Sequence, residues 1–194
     1  MPTRNPTDHD ILEPFEERWS PYAFDPERGV DEADLEAVFE AARWAMSSYN
    51  EQPWRYVVGV AGRDDGVHGK VLSTLSEGNR PWARFAPVLA LGLYVPDFAR
   101  TGKPNAAAQH DLGAASAFLT VEATARGLVV HQMAGVDHDA VRAAFELPDG
   151  AEPLTALAIG HHGANPGLEA KYAERDERER TRRPLAGTIV AGRP

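Results

Sequence analysis

The chain contains no cysteine. That excludes disulfides, thiolate nucleophiles and every cysteine-based zinc or iron–sulfur site. Long apolar runs are also missing: none approaches the roughly 20 residues that span a bilayer. Positive charge is scarce, with 20 Lys and Arg against 29 Asp and Glu and a formal net charge of −9. A nucleic-acid binder, whose affinity rests on neutralising phosphates, is disfavoured by that balance. No G-x-G-x-x-G follows a strand and no G-x-x-x-x-G-K-[ST] occurs, so any nucleotide is bound by another scheme. A G-x-S-x-G elbow is absent, which removes the usual hydrolase nucleophile. His161 and His162 are adjacent and point to different faces of an extended chain, and neither H-x₃-H nor H-E-x-x-H spacing occurs. No metal is expected. The first ten residues lack the apolar core of a signal peptide, and the expected location is the cytoplasm.

What remains is a chain of 194 residues with 43% apolar and 25% charged residues, the make-up of one soluble globular domain. Periodicity divides it. A polar arm over about 1–10 precedes a short helix in Ile11–Trp19. Asp31 is placed to cap a helix whose Leu35, Val38, Phe39 and Ala42 recur at helical spacing, with Val30 able to staple onto Leu35. Arg55–Val60 reads as a strand, Val67–Leu75 as an amphipathic helix, and Gly78–Pro81 as a break. Pro87–Val95 is continuously apolar and reads as a central strand buried on both faces. Asn105–Arg126 is the longest helix, with small or apolar residues nearly all round, closed by Gly127 and expected to be buried on most sides. His131–Gly135 reads as a loop, Asp137 as the cap of a further helix, and Leu154–Ile159 as a third strand. Glu169–Arg183 is a mixed-charge run. One domain over 1–194 is expected, with a C-terminal extension over about 169–194.

Arg43–Tyr56, RWAMSSYNEQPWRY, is the most informative stretch. It places two hydroxyls, Asn50 and Gln52 at a helix end, anchors them with Pro53-Trp54, and feeds a strand. Such a loop is suited to hydrogen-bonding something flat and polar, although Ser47 and Ser48 can equally terminate a helix and Trp54 reads as core. Arg18-Trp19-Ser20 and the Arg180 and Arg182 pair add guanidiniums able to hold a phosphate.

Taken in order, these pieces resemble the nitroreductase family of FMN-dependent NAD(P)H oxidoreductases. An R-x-S-x-[RK] segment is seen as Arg18-Trp19-Ser20-Pro21-Tyr22, and a P-S-S-x-N-x-Q-P-W loop as Met46 to Trp54. A D-L-G-x-A helix begins at Asp111 and ends in Gly127-Leu128. A G-x-D loop follows at Gly135-Val136-Asp137, and a basic R-x-R-x-P-L ending runs from Arg180 to Leu185. The resemblance implies an α+β fold, a three-layer α-β-α sandwich with a small, mainly antiparallel sheet, in an intertwined homodimer with flavins at the interface. It further implies that Arg18, Trp19, Ser20, Arg180 and Arg182 cradle the ribityl chain and phosphate of FMN. Met46, Ser47, Ser48 and Asn50 would approach from the partner subunit, along with the C-terminal extension. Asn79 would address the pyrimidine edge, and Gln132, Met133, Ala134 and Gly135 would lie along the ring. The activity implied is reduction of electron-poor small molecules (nitroaromatics, quinones, enones) by NAD(P)H in a ping-pong cycle. Flavin sequestration, or a specialised flavin chemistry on the same fold, is the alternative. The chain departs from the family pattern at three places: Met46 replaces a proline, Tyr22 a basic residue, and Trp82 what is usually a basic position. Trp82 and Tyr22 are therefore expected to line the substrate pocket.

Overall fold

The computed structural model describes residues 5–192. The first four residues of the expected arm, and the last two of the C-terminal extension, lie outside the described residues. Four strands form one sheet: β1 (Trp54–Val60), β2 (Val88–Tyr94), β3 (Val129–Met133) and β4 (Glu152–Gly160), in the order β1-β2-β4-β3. Every pairing is antiparallel, with Val57 opposite Leu91, Leu91 opposite Ala156, and Gln132 opposite Leu157.

β2 shows why the sheet carries helices on both faces. Its residues alternate sides, as the period of two in a strand requires. Val88 and Ala90 join the core formed with α2 (Glu32–Arg43) and α5 (Ala108–Ala125). Leu89, Leu91 and Leu93 join a second core with α3 (Val67–Thr74), α4 (Arg80–Ala83), α6 (His138–Ala144), Phe24 and Tyr172. Each such side chain contributes about 1.5–3 kcal/mol on burial, so a strand apolar on both faces commits the fold to three layers. α1 (Glu13–Glu17) and α7 (Ala170–Asp176) flank this body.

Local rules account for most boundaries. The Asp137 carboxylate accepts from the amides of Asp139 and Ala140 and caps α6 as expected. Asp31 holds the cap position of α2 but makes no side-chain bond there; acidic residues in the first turn, Glu32 and Asp34, favour that end through the helix dipole. α5 ends at Gly127, whose φ of 72° is the left-handed conformation that glycine adopts freely. Gly59 of β1 lets α3 lie close, since a side chain there would collide with the backbone of His68.

One expectation needs correction. The segment expected as the loop His131–Gly135 begins inside β3, an edge strand. The break expected at Gly78–Pro81 does separate α3 from the next helix, and it also supplies the cap and first turn of α4, because proline in a first turn loses no hydrogen bond. α5 is buried on most sides and open along one, at His110, Gly113, Ala117 and Phe118.

Candidate functional site

Three arginines from the two ends of the chain meet beside Trp19. Arg18 follows α1, and its Nη1 donates to Ser20 Oγ at 3.3 Å. The Arg180 guanidinium lies 5.4 Å from the centroid of the Trp19 ring. Burial first, then Arg182 and Arg180, pull the Arg18 pKa below its ordinary value, and burial and Arg182 do the same to Arg180. Arg18 and Arg180 are thus held where burial, and then a neighbouring guanidinium, disfavours their charge. Arg180 Nη1 is buried with no hydrogen-bond partner, a donor that costs stability until something accepts from it. A pocket over Arg18, Arg180, Thr181 and Arg182 is closed by Asn5 and Phe15. Arg18 and Trp19 also border a cavity of about 600 Å³ that extends to Arg28, Val129, His161 and His162.

The expected C-terminal extension packs, in its first part, on its own chain. The amides of Tyr22 and Ala23 donate to the Asp176 carboxylate at 2.8 to 3.0 Å. The buried Tyr172 donates its hydroxyl to the Gly78 carbonyl at 3.2 Å. Asp176 lies inside a run of alternating charges, and no local signal separates it from its neighbours.

Trp82 does not reach the surface of this chain, and Tyr22 beside it is half-buried. Trp82 is 0% exposed, with its ring centroid 4.4 Å from that of His131 and 5.1 Å from that of Tyr22. The cluster belongs to the core beneath β3, so the apolar bulk that sets Trp82 apart fills the interior. His131 Nδ1 lies 2.9 Å from the Pro21 carbonyl, which can only accept, so Nδ1 carries the proton. Burial outweighs that bond and the nearby Asp176, and it pulls the His131 pKa below 6.5.

The end of β3 carries the next group. The Gly135 carbonyl accepts from the Ser76 amide at 2.9 Å and from Asn79 Nδ2 at 3.3 Å. A Cβ on Gly135 would stand 2.6 Å from Ser76 Oγ and 2.7 Å from Asn79 Nδ2, so any larger residue would force these two side chains to move. Asn79 and Gly135 are therefore brought together. Met133 is buried and Ala134 exposed. Gln132 turns its amide to α5, donating to the Ser116 carbonyl and Thr120 Oγ1, so its side chain serves the helix contact.

The polar loop stands elsewhere. Ser47 Oγ accepts from the Gln52 amide, and Asp111 of α5 accepts from the Ser48 amide at 2.9 Å. Tyr49, Asn50 and Gln52 all have positive φ, at 53°, 58° and 51°. Left-handed residues other than glycine cost of order 1–3 kcal/mol each. Trp44, Met46 and Tyr49 are 71%, 61% and 90% exposed. The loop enters β1 at Trp54, opposite Tyr94. The arginine cavity reaches Val129, which pairs with Gly160 at the other end of the sheet. A single chain does not bring Met46, Ser47, Ser48 and Asn50 to Arg18 and Arg180. Trp54 is buried core, as read from sequence.

Among the described residues, no group of three or more His, Cys, Asp or Glu is placed to hold a metal ion, and no helix is long and apolar enough to cross a membrane.

The model of the nitroreductase family matches residues 15–64, which run from α1 through α2 and the polar loop to just past β1. The crystal structure of an oxidoreductase containing FMN superposes with a TM-score of 0.88 at 32% identity, covering 97% of this chain and 95% of that one. A nitroreductase family protein from Clostridium difficile 630 gives a TM-score of 0.70 at 26% identity, covering 93% and 97%. Over 50 residues the chain is 38% identical to the major NAD(P)H-flavin oxidoreductase of Aliivibrio fischeri, a stretch that is 26% of this chain and 23% of that protein.

Proposed function

The chain belongs to the nitroreductase family, and from that premise we propose that it is an FMN-dependent NAD(P)H oxidoreductase acting on electron-poor small molecules such as nitroaromatics, quinones and enones. The arginine cluster carries the reading. Arg18, Arg180 and Arg182 repel one another, Arg180 has a buried donor without a partner, and the Ser20 hydroxyl stands beside them. An anion with several acceptor oxygens would satisfy all of these groups at once, and the FMN phosphate is such an anion. When bound, FMN would supply the redox chemistry itself, taking hydride from NAD(P)H and passing it to the acceptor in a ping-pong cycle.

The protein's part is binding and orientation. Arg18, Ser20, Arg180 and Arg182 would hold the phosphate, with Trp19 packing against Arg180. Asn79 and the segment Gln132–Gly135 would offer amide and backbone groups to the ring. Met46, Ser47, Ser48 and Asn50 would reach the flavin of a second copy, since in their own chain they lie at the far end of the sheet from the arginines. Exposed Trp44, Met46, Tyr49 and Phe118 favour such a homodimer, because apolar groups this open on a monomer mark an interaction surface.

Colour tests the proposal. Purified protein should show flavin absorbance, or gain it on adding FMN; a colourless protein that takes up none refutes it. A second reading is flavin sequestration, since Tyr22 stands where the family resemblance implies a second basic residue and so supplies no guanidinium or ammonium of its own to the flavin. Steady-state NAD(P)H oxidation with menadione separates the two, a storage protein giving only slow background.

A further inference from the structure

We infer that Asp176 is a positioning residue that assembles the three-arginine phosphate site without touching the phosphate, an inference that rests on the flavin reading above. Arg18 and Ser20 belong to the segment that enters the body through Tyr22 and Ala23. Arg180 and Arg182 belong to the chain that leaves α7 at Asp176. The Asp176 carboxylate joins the two, accepting from the Tyr22 amide with both oxygens, at 2.9 and 3.0 Å, and from the Ala23 amide at 2.8 Å. These are charge-assisted bonds to backbone, the strong kind. The Arg175 guanidinium adds a contact from α7, 5.5 Å from the Tyr22 ring centroid and 5.6 Å from that of Tyr172. Tyr172 in turn fixes the helix to the body through Gly78.

Opposing this clasp is the mutual repulsion of Arg18, Arg180 and Arg182. Left alone, like charges on two separate pieces of chain drift apart, and the site would have to be assembled at the expense of binding energy. With Asp176 in place the cations are held together before any anion arrives. The negative charge of Asp176 also opposes anion binding, so its two effects have opposite signs. Asp176→Asn separates them: the charge is lost, and one carboxylate oxygen becomes an NH₂ that faces backbone donors. If Asp176 acted only as a counter-charge, the substitution would tighten binding of a phosphate; if it acts as a clasp, binding weakens.

Flavin fluorescence gives the dissociation constants of FMN and of riboflavin, which carries the same ring without the phosphate. In the wild type FMN should bind more tightly than riboflavin. In D176N the FMN preference should fall about tenfold while riboflavin affinity stays nearly constant. An FMN preference that is unchanged or increased in D176N overturns the inference and leaves the flavin reading standing. Equal wild-type affinities for the two flavins also overturn it, by showing no phosphate site. A wild type that binds neither flavin refutes the flavin reading itself, and the inference with it. Circular dichroism establishes that D176N is folded; if it is not, Asp176→Glu, which keeps the charge and displaces the carboxylate by one methylene, is read by the same FMN-to-riboflavin ratio.

Discussion

Replacing Arg180 with methionine should weaken FMN binding without destabilising the apoprotein. Arg180 Nη1 is buried and unpartnered, and leaving such a donor unmet costs about 1–3 kcal/mol. The rest of the side chain is partly open to water, so the low end, about 1 kcal/mol, applies. Loss of the contact with Trp19 works the other way by about 0.5–1 kcal/mol. Methionine keeps much of the packing against the indole and removes the repulsion with Arg182. The two effects nearly cancel, and apoprotein stability should change by less than about 1 kcal/mol. Bonds from a guanidinium to a phosphate are worth about 1.5–3 kcal/mol, so FMN affinity should fall about 10- to 150-fold. Urea denaturation of the apoprotein and fluorescence titration with FMN measure the two sides. Loss of more than about 2 kcal/mol of apoprotein stability would show that Arg180 is already satisfied in the fold. Unchanged FMN affinity would show that the phosphate lies elsewhere.

His131 makes stability depend on pH. Its pKa in the fold lies below that of the unfolded chain, so the unfolded state binds a proton first. The stability it contributes is complete above pH ~6.5 and is lost as pH falls through the folded value; His131→Gln should flatten the dependence of the urea midpoint between pH 7 and 5. Asp137→Ala leaves the amides of Asp139 and Ala140 without an acceptor and should cost about 1 kcal/mol in urea denaturation, with Asp137→Ser recovering most of it. Leu91→Ala, on the buried central strand, should cost about 2–5 kcal/mol by the same measurement. A loss under about 1 kcal/mol would mean that the second core closes over the cavity.

How much of this was legible depends on whether the signal was local. β2 was plain because it is apolar without interruption, and only a strand covered on both faces tolerates that. The α6 cap was plain because Asp137 bonds amides two and three residues away. β3 was missed because it is an edge strand: Val130 and Met133 are buried, while His131 and Gln132 make it look like a loop. Their polar groups are satisfied by Pro21, Ser116 and Thr120, partners that no local pattern reveals. Asp176 was hidden for the same reason, since its partners Tyr22 and Ala23 lie at the other end of the chain. Trp82 was noticed for its chemistry and misplaced, because a matched position specifies a neighbourhood and leaves open whether the side chain points into the core. The arginines were legible as basic residues near each terminus, but their convergence on Trp19 required the fold.

Trp82 Nε1, Asn105 Nδ2 and Arg180 Nη1 are all buried donors without a partner, and two regions of the chain add further conflict. One is the arginine cluster, with its repulsion and its unmet donor; the other is the loop with left-handed Tyr49, Asn50 and Gln52 and the exposed side chains Met46 and Tyr49. Like charges held together and left-handed backbone at non-glycine residues are the kinds of local conflict that cluster at functional sites. The two points lie at opposite ends of the sheet, so no motion of side chains within the chain can make either relieve the other. A second copy can, by bringing the loop of one chain to the arginines of the other. Ultracentrifugation of Tyr49→Ser and Trp44→Ser then provides a direct check. Both substitutions remove exposed apolar surface and should leave the fold unchanged, within about 0.5 kcal/mol in urea. They should nonetheless shift the protein toward monomer and lower FMN affinity together. A dimer that dissociates with FMN affinity intact would show that each chain completes its flavin site alone.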